Sequence, residues 1–443
     1  MTKVEKRIDT KYMNHHKCTN KSLQSNRFDR QRKDGPIDPL LVAHTADWHW
    51  TEERIDRCLA GADFILERLM TFKPDLHVIA GDFWDRGQRV SSYSAFLPAV
   101  NVVRRLAEIS PLVIIYGNGA HDMPGSLEIF SYLETRHPVY VTARPESILL
   151  VQSRDASDFR FVPCDGTGLS TSEVNPIVVL LHLFPFVSKN ETLGKREKLS
   201  LADANLLYRK EMQTILGRFG SISERFGVPT ILVGHCHVRG ARVASGQPYL
   251  EREPVVSVSD LELARADYYA LGHVHVHQRF GDAIWYAGST RHTNFGEGEK
   301  KYFNLARLEG KSVAVTEVEI PARPLVFHEA RFDSSTNRII DPNPERDWCG
   351  AELRVRVFLT KDQLRLVTGE DIRTWYDGAY SYKIERIAIP ENRVRAAEIA
   401  RAMSFREKLC EWGKVVGLEI GAELEEIADE VERHVREVGG GKE

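Results

Sequence analysis

Read in order, the residues that could do chemistry fall into five short groups. They are Asp47 and His49 in D-x-H, Asp82 in G-D-x-x-D, Asn118 and His121 in G-N-G-A-H-D, His235 in G-H, and His273 and His275 in G-H-x-H. Carboxylates, imidazoles and one amide, without a thiolate, form a donor set that favours Mn2+ or a similar first-row ion over structural zinc. On an extended chain, side chains two apart project to the same face. Asp47 with His49, and His273 with His275, can then each reach one ion. Seven ligands are too many for a single ion. They suit two ions roughly 4 Å apart with a bridging carboxylate, the arrangement for in-line attack on phosphorus. Asp82, on the tight turn of AGDFWD, is the expected bridge.

Each group also has an ordinary reading. A Gly-Asp after a strand is usually a turn, and His-Val-His is usually plain strand. Asp47-Trp48-His49 reads equally as a helix N-cap beside a core histidine. Jointly these readings fail, because each of the five groups ends an apolar run.

The elements that must position these groups follow from periodicity. LLVAHTAD (40–47) reads as a strand, and the stretch after it carries Ile55, Leu59, Ala62, Leu66 and Leu69 at helical spacing. LHVIAGDFWD (76–85) is a second strand, a helix covers roughly 92–109, and Leu112 to Tyr116 is a third strand. Strand–helix–strand–helix–strand is the pattern of an α/β sheet whose ligands collect outside the carboxyl ends of its strands. PTILVGHCH (229–237) and ADYYALGHVHVHQ (266–278) read as two further strands ending in histidines. His237 and His277 continue the alternation and are taken as strand residues or as partners of the ligands.

Residues 1–38 are expected to be a disordered tail: 1–36 hold ten Lys/Arg against four Asp/Glu. Such a tail either holds nucleic acid electrostatically or is a solvated extension. Residues 39–320 carry all five groups. From 321 the texture changes to apolar–charged alternation (ELRVRVFL, YKIERIAI), the mark of a small α+β domain over 321–392. Residues 393–443 read as helical. Ser404 and Glu407 form a capping box ahead of an apolar stripe of Phe405, Leu409, Trp412 and Val416. A second helix sets Leu424, Ile427, Val431 and Val435 among acids.

Bulk properties exclude several classes. A net charge of −3 with 42% hydrophobic and 28% charged residues is ordinary for a globular protein. Six cysteines lie far apart with no C-x-x-C pair, which argues against a zinc knuckle or disulfide framework and fits a reducing cytoplasm. No apolar stretch approaches the roughly 18–20 residues of a membrane span, and the polar N-terminus lacks a signal-peptide core.

The order D-x-H, G-D-x-x-D, G-N-x-x-H-D, G-H, G-H-x-H resembles the calcineurin-like metallophosphoesterase superfamily. Within it, HTADWH, VIAGDFWDRG and DYYALGHVHVHQRF…WYAGSTRHTNFGEGEKKYFNLARLEG resemble the SbcD-type nucleases of bacterial double-strand-break repair. The resemblance covers about 40–320 strongly and the small domain after it more loosely. It implies a four-layer α-β-β-α sandwich with an α+β DNA-capping domain and C-terminal helices that grip the coiled-coil base of an SbcC-type ABC ATPase. It implies a Mn2+-dependent homodimer with 3′–5′ exonuclease and endonuclease activity on DNA, both double-stranded ends and single strands. Asp47, His49, Asp82 and His275 would hold one ion; Asp82, Asn118, His235 and His273 the other. His121 would protonate the leaving 3′ oxygen or steady the phosphate, a role suited to a side chain that titrates near neutrality.

Two departures stand out. Trp50-Thr51 replace the family's Leu-Gly, which points to a different substrate-facing loop. The family writes G-N-H-D where this chain writes G-N-G-A-H-D. Either Asn118 keeps its place and the loop bulges to return His121, or His121 keeps its place and Ala120 stands where the amide belongs. Gly119 permits the bulge, which is the expectation here. Two other functions use the same residues: a phosphomonoesterase or cyclic-nucleotide phosphodiesterase, and a partner-binding scaffold with a weakened site.

Overall fold

A computed structural model describes residues 39–85, 93–153, 158–164, 176–188, 200–244, 247, 255–333, 335–336, 338–340, 348–373, 376, 378–389 and 404–439. The basic tail expected over 1–38 and the start of the expected helical segment (393–403) lie outside these residues.

The chain alternates strands and helices from its first described element. β1 (Leu40–Thr45), α1 (Ile55–Phe72), β2 (Leu76–Ala80), α2 (Tyr93–Ala107) and β3 (Leu112–Ile115) come first. β4 (Val139–Thr142), β5 (Glu146–Gln152), β6 (Phe159–Pro163), β7 (Ile177–Phe184), α3 (Leu201–Ser223) and β8 (Thr230–His235) follow. Then come β9 (His237–Val238), β10 (Val255–Val256), α4 (Val258–Leu261), β11 (Tyr268–Gly272), β12 (Gln278–Phe280) and β13 (Ile284–Tyr286). β14 (Lys301–Glu309) and β15 (Ser312–Ile320) form a hairpin that returns to β1.

Two sheets result, ordered β15-β14-β1-β2-β3-β4 and β12-β13-β11-β8-β7-β5-β6. The pairs β1–β2, β2–β3, β7–β8, β8–β11 and β11–β13 are parallel. The apolar runs of these strands are continuous rather than alternating because both faces are buried. In the first sheet, Val42, Val78, Val113 and Ile115 turn inward to meet Leu181, Ile231, Val233 and Ala270 of the second. Ala43, Ile79 and Ile114 turn outward against Ile65, Leu66 and Leu69 of α1 and Val102 and Val103 of α2. On the far face of the second sheet, Leu149, Val151 and Leu180 pack with Ile222 of α3. Helix, sheet, sheet and helix thus form the four layers implied by the resemblance.

A second compact unit comprises 243–249, 291–300 and the chain from Pro321 onward. In it β16 (Leu325–Asp333), β17 (Arg338–Ile340), β18 (Glu352–Leu359) and β19 (Ser381–Ala388) form a sheet ordered β17-β16-β18-β19, with α5 (Gln363–Leu366) and α6 (Gly369–Arg373) between the last two strands in sequence. Alternation sorts its faces: Leu353, Val355, Val357 and Leu359 enter a core with Val367, Ile372 and Tyr376. α7 (Phe405–Val416) and α8 (Ala422–Gly439) close the described chain. Ser404 and Glu407 make the full capping box at the start of α7. Phe405, Trp412, Val416, Leu424, Ile427, Val431 and Val435 on these helices are exposed.

Three sequence expectations need correction. The strands end earlier than read: β1 at Thr45, β2 at Ala80 and β11 at Gly272, so the functional groups stand on the loops beyond them. His277 precedes β12 and is not a strand residue, whereas His237 opens the two-residue β9. Trp50 does not face substrate: it is fully buried, its indole N–H donates to the Ala95 carbonyl at 2.7 Å and its ring stacks on Phe83.

Candidate metal centre

Every sequence-predicted site residue lies at the carboxyl end of a parallel strand: Asp47 and His49 after β1, Asp82 after β2, Asn118 and His121 after β3, His235 ending β8, and His273 and His275 after β11. The facing of the two sheets directs these ends toward one another. Backbone hydrogen bonds extend the β1–β2 ladder into the loops, from Asp47 N to Gly81 O at 3.0 Å and from His49 N to Asp82 O at 3.1 Å.

The geometry that aims the side chains is not extended. Among the described residues six non-glycines have positive φ, and four of them are Asp47 (49°), His49 (45°), Asp82 (49°) and His273 (95°). Such conformations cost on the order of 1–3 kcal/mol each and persist where the surroundings enforce them. The extended backbone expected for D-x-H and H-x-H is therefore absent, although Asp47 and His49 still meet in one group of ligand atoms. His273 and His275 part company instead.

One group of ligand atoms comes from Asp47, His49 and His275, and a second from Asp82, His235 and His273, in each case within 4.8 Å of one another. In the first group His49 Nε2 and His275 Nε2 face each other at 2.9 Å. The Asp47 carboxylate accepts the His273 backbone N–H at 2.9 and 3.1 Å, which ties the two groups together. In the second, His235 Nδ1 donates to the Ala80 carbonyl at 2.8 Å. Its Nε2 is buried, has no hydrogen-bond partner among the described residues and points at Asp82 Oδ1, 3.3 Å away.

Asp82 lies between the groups. Its Oδ1 faces His235 and accepts the Asn118 backbone N–H at 2.7 Å. Its Oδ2 faces His49 Nε2 at 4.0 Å and His121 Nε2 at 3.9 Å. Gly117 makes this approach possible, since a Cβ there would fall 2.0 Å from Asp82 Oδ1.

The Gly119-Ala120 insertion forms a turn. The backbone N–H groups of His121 and Asp122 donate to the Asn118 carbonyl at 2.8 and 2.9 Å, and the Asn118 side-chain oxygen accepts the Ala120 N–H at 3.0 Å. Asn118 stays beside Asp82, and the turn carries His121 back to the same carboxylate. Its ring lies edge to face on His49, with 4.7 Å between centroids.

Burial and mutual charge shift the titrations of the site's groups. Burial pushes the Asp47 carboxyl up to about 8, with His235 opposing and the Asp82 charge adding to the rise. Burial would raise Asp82 too, yet His235, His121 and His49 hold it well below the usual carboxylate range. Burial would lower His235, but Asp82 and Asp47 raise it to about 9. Buried carboxylates and imidazoles converging with an unsatisfied Nε2 fit a divalent ion with nitrogen and oxygen ligands.

Sequence reasoning missed three contributors. Asp85, three residues after Asp82, sets Oδ1 3.9 Å from Nδ1 of both His49 and His121. Asp122 and Lys301 are buried nearby, and Lys301 donates to Ser289 Oγ at 3.0 Å. The second carboxylate of G-D-x-x-D was the available signal for Asp85, and the last residue of G-N-G-A-H-D for Asp122; nothing comparable marks Lys301.

The calcineurin-like phosphoesterase family matches residues 40–277, more than half of the chain. The D component of the nuclease SbcCD from Escherichia coli (strain K12) is 25% identical over 314 residues, covering 68% of this chain and 73% of that protein. The protein of the same name from Staphylococcus epidermidis is 24% identical over 298 residues, covering 65% and 70%. With the family's match spanning both sheets' ligand-bearing strands, the chain belongs to the calcineurin-like phosphoesterases, a family of hydrolases.

Proposed function

We propose that this protein is a two-metal DNA nuclease, with 3′–5′ exonuclease and endonuclease activity at DNA ends in double-strand-break repair. The observation that carries the two-ion reading is Asp82, whose two carboxylate oxygens face separate groups of ligand atoms. Asp47, His49, Asp82 and His275 would hold one ion, and Asp82, Asn118, His235 and His273 the other. The Asn118 oxygen already accepts one hydrogen bond, and a carbonyl oxygen has a second lone pair to offer. Two divalent ions, Mn2+ by the donor set, would supply Lewis acidity for in-line attack on a phosphodiester.

His121 is the one imidazole of the set with substantial exposure, 24% for its side chain, and it stands outside the two groups assigned to ions, in a third cluster of ligand atoms with His49 and Asp85. That leaves it to meet the phosphate, steady it and pass a proton to the leaving 3′ oxygen. Asp85 would hold the His121 Nδ1 side so that Nε2 faces the reaction.

Similarity to two proteins named as components of the nuclease SbcCD supports a nuclease over a small-molecule esterase. On the same ground we assign DNA, single-stranded and at duplex ends, as substrate. An SbcC-type coiled-coil ATPase would be the partner, a homodimer the assembly and the cytoplasm the location. The exposed apolar stripes of α7 and α8 suit docking on a coiled coil.

The test is degradation of end-labelled linear duplex DNA with Mn2+, run beside p-nitrophenyl phosphate mono- and diester turnover. Metal-dependent release of nucleotides from DNA is expected. Fast ester turnover with DNA left intact would instead favour a phosphomonoesterase or cyclic-nucleotide phosphodiesterase. Fewer than two ions per chain would favour a scaffold.

A further inference from the structure

The lengthened loop after β3 ends in Asp122, whose buried carboxylate receives three backbone N–H groups. Gly117 N donates to Oδ2 at 2.9 Å, Phe83 N to Oδ2 at 3.2 Å and Trp84 N to Oδ1 at 2.9 Å. An aspartate that merely closed its own turn would bond a residue or two ahead. Asp122 instead reaches 38 and 39 residues back, into the loop that carries Asp82. The tie is reciprocal, because Asp82 Oδ1 accepts the Asn118 N–H from the Asp122 loop. Each loop thus hangs its backbone on the other's carboxylate.

We infer that Asp122 is a positioning residue for the second metal group: by clasping the 81–85 loop to the 117–122 loop it fixes Asp82 and Asn118 relative to each other. The clasp also accounts for the tolerance of Gly119-Ala120. The two added residues are spent inside the Asn118–Asp122 turn, while both ends of that turn stay pinned, Asn118 by Asp82 and Asp122 by Phe83 and Trp84. Three backbone N–H groups converging on one buried carboxyl resist the loop's own freedom. Groups that orient metal ligands typically cost 10–100-fold in metal affinity when replaced. The inference rests on the two-metal reading proposed above.

The experiment is a calorimetric Mn2+ titration of the full chain, stripped with chelator, for wild type and Asp122→Asn. Asn keeps the shape and retains acceptors for some of the three donors. Titration is done well below each protein's Tm. Wild type should show two binding events. In Asp122→Asn one event should keep its affinity and the other weaken roughly 10–100-fold. A purely structural aspartate would lower Tm and leave both affinities unchanged, which would overturn the inference. A wild type without two events would instead overturn the two-metal reading.

Should Asp122→Asn fail to fold, amide exchange on wild type decides. Exchange of the Phe83, Trp84 and Gly117 amides should slow on adding Mn2+, because ion and clasp order the same loops. Equal protection with and without Mn2+ would overturn the inference.

Discussion

His49 and His121 span the same two carboxylates. Each turns Nε2 toward Asp82 Oδ2, at 4.0 and 3.9 Å, and Nδ1 toward Asp85 Oδ1, at 3.9 Å in both cases. Under the proposed roles, a single carboxylate would orient a metal ligand, His49, and a proton donor, His121, together. A carboxylate behind a histidine fixes its tautomer and raises its basicity. Asp85→Asn should therefore lower kcat about 10–100-fold and shift the acidic limb of the pH–rate profile. Bound Mn2+ should fall less than activity does. An unchanged profile with unchanged kcat would remove Asp85 from the site.

His121→Ala tests the division between binding ions and acting on substrate. Loss of a positioned proton donor is worth roughly 10²–10⁴ in rate. Metal analysis of the same variant should still find two ions per chain. Loss of an ion would make His121 a ligand instead.

Gly117→Ala tests the close approach of the loops. The new Cβ would lie 2.0 Å from Asp82 Oδ1 and 2.2 Å from its backbone nitrogen, so the loops must separate. A cost of ~1–3 kcal/mol is expected, read as a lower urea midpoint, with Mn2+ stabilising the variant less than wild type. An equal Mn2+-induced rise in Tm would contradict the geometry.

Three buried histidines set a pH dependence of stability. Burial drives the pKa of His44, His77 and His182 from 6.5 down to about 3. These groups stay neutral in the folded chain while their unfolded counterparts protonate below about 6.5. Stability is therefore full above pH 6.5 and falls as the pH drops toward 3, because the unfolded state binds the extra protons. Each group contributes up to about 1.4 kcal/mol per pH unit in that window. Asp47 and Asp122, pushed up by burial to about 8 and about 7, act in the opposite sense, so the histidines are read by difference: between pH 7 and pH 5, His182→Gln should lose less stability, or gain more, than wild type. His182 sits between Ser147 Oγ and Ser223 Oγ, 2.8 Å from each, so Gln can keep one contact. An identical pH dependence in wild type and His182→Gln would refute the assignment.

The C-terminal helices are open to a deletion test. Removing 393–443 should abolish co-purification with an SbcC-type ATPase and leave Mn2+-dependent DNA cleavage intact. Retained co-purification would move the docking surface elsewhere.

Sequence alone determined much of this protein. The apolar runs at 40–46, 76–80 and 112–116 required strands buried on both faces, since no alternation separates a wet side from a dry one. The helical periodicity between them dictated α1 and α2, and the capping box marked the start of α7. Five polar groups at strand ends named most of the residues that now meet, though not Asp85, Asp122 or Lys301.

What only the tertiary structure decided is how they meet. Positive φ at Asp47, His49, Asp82 and His273 is imposed by long-range contacts such as Asp47 N to Gly81 O, and no local pattern encodes it. That backbone sends His273 and His275 to different groups, although a period-2 reading puts them on one face. Asp85 and Asp122 gained their roles only when loops dozens of residues apart were brought together, and Trp50 gained its burial the same way. Periodicity records whether a residue is buried. Which strand ends converge, and at what angle, depends on two sheets packing face to face, a global property that no short window of sequence contains.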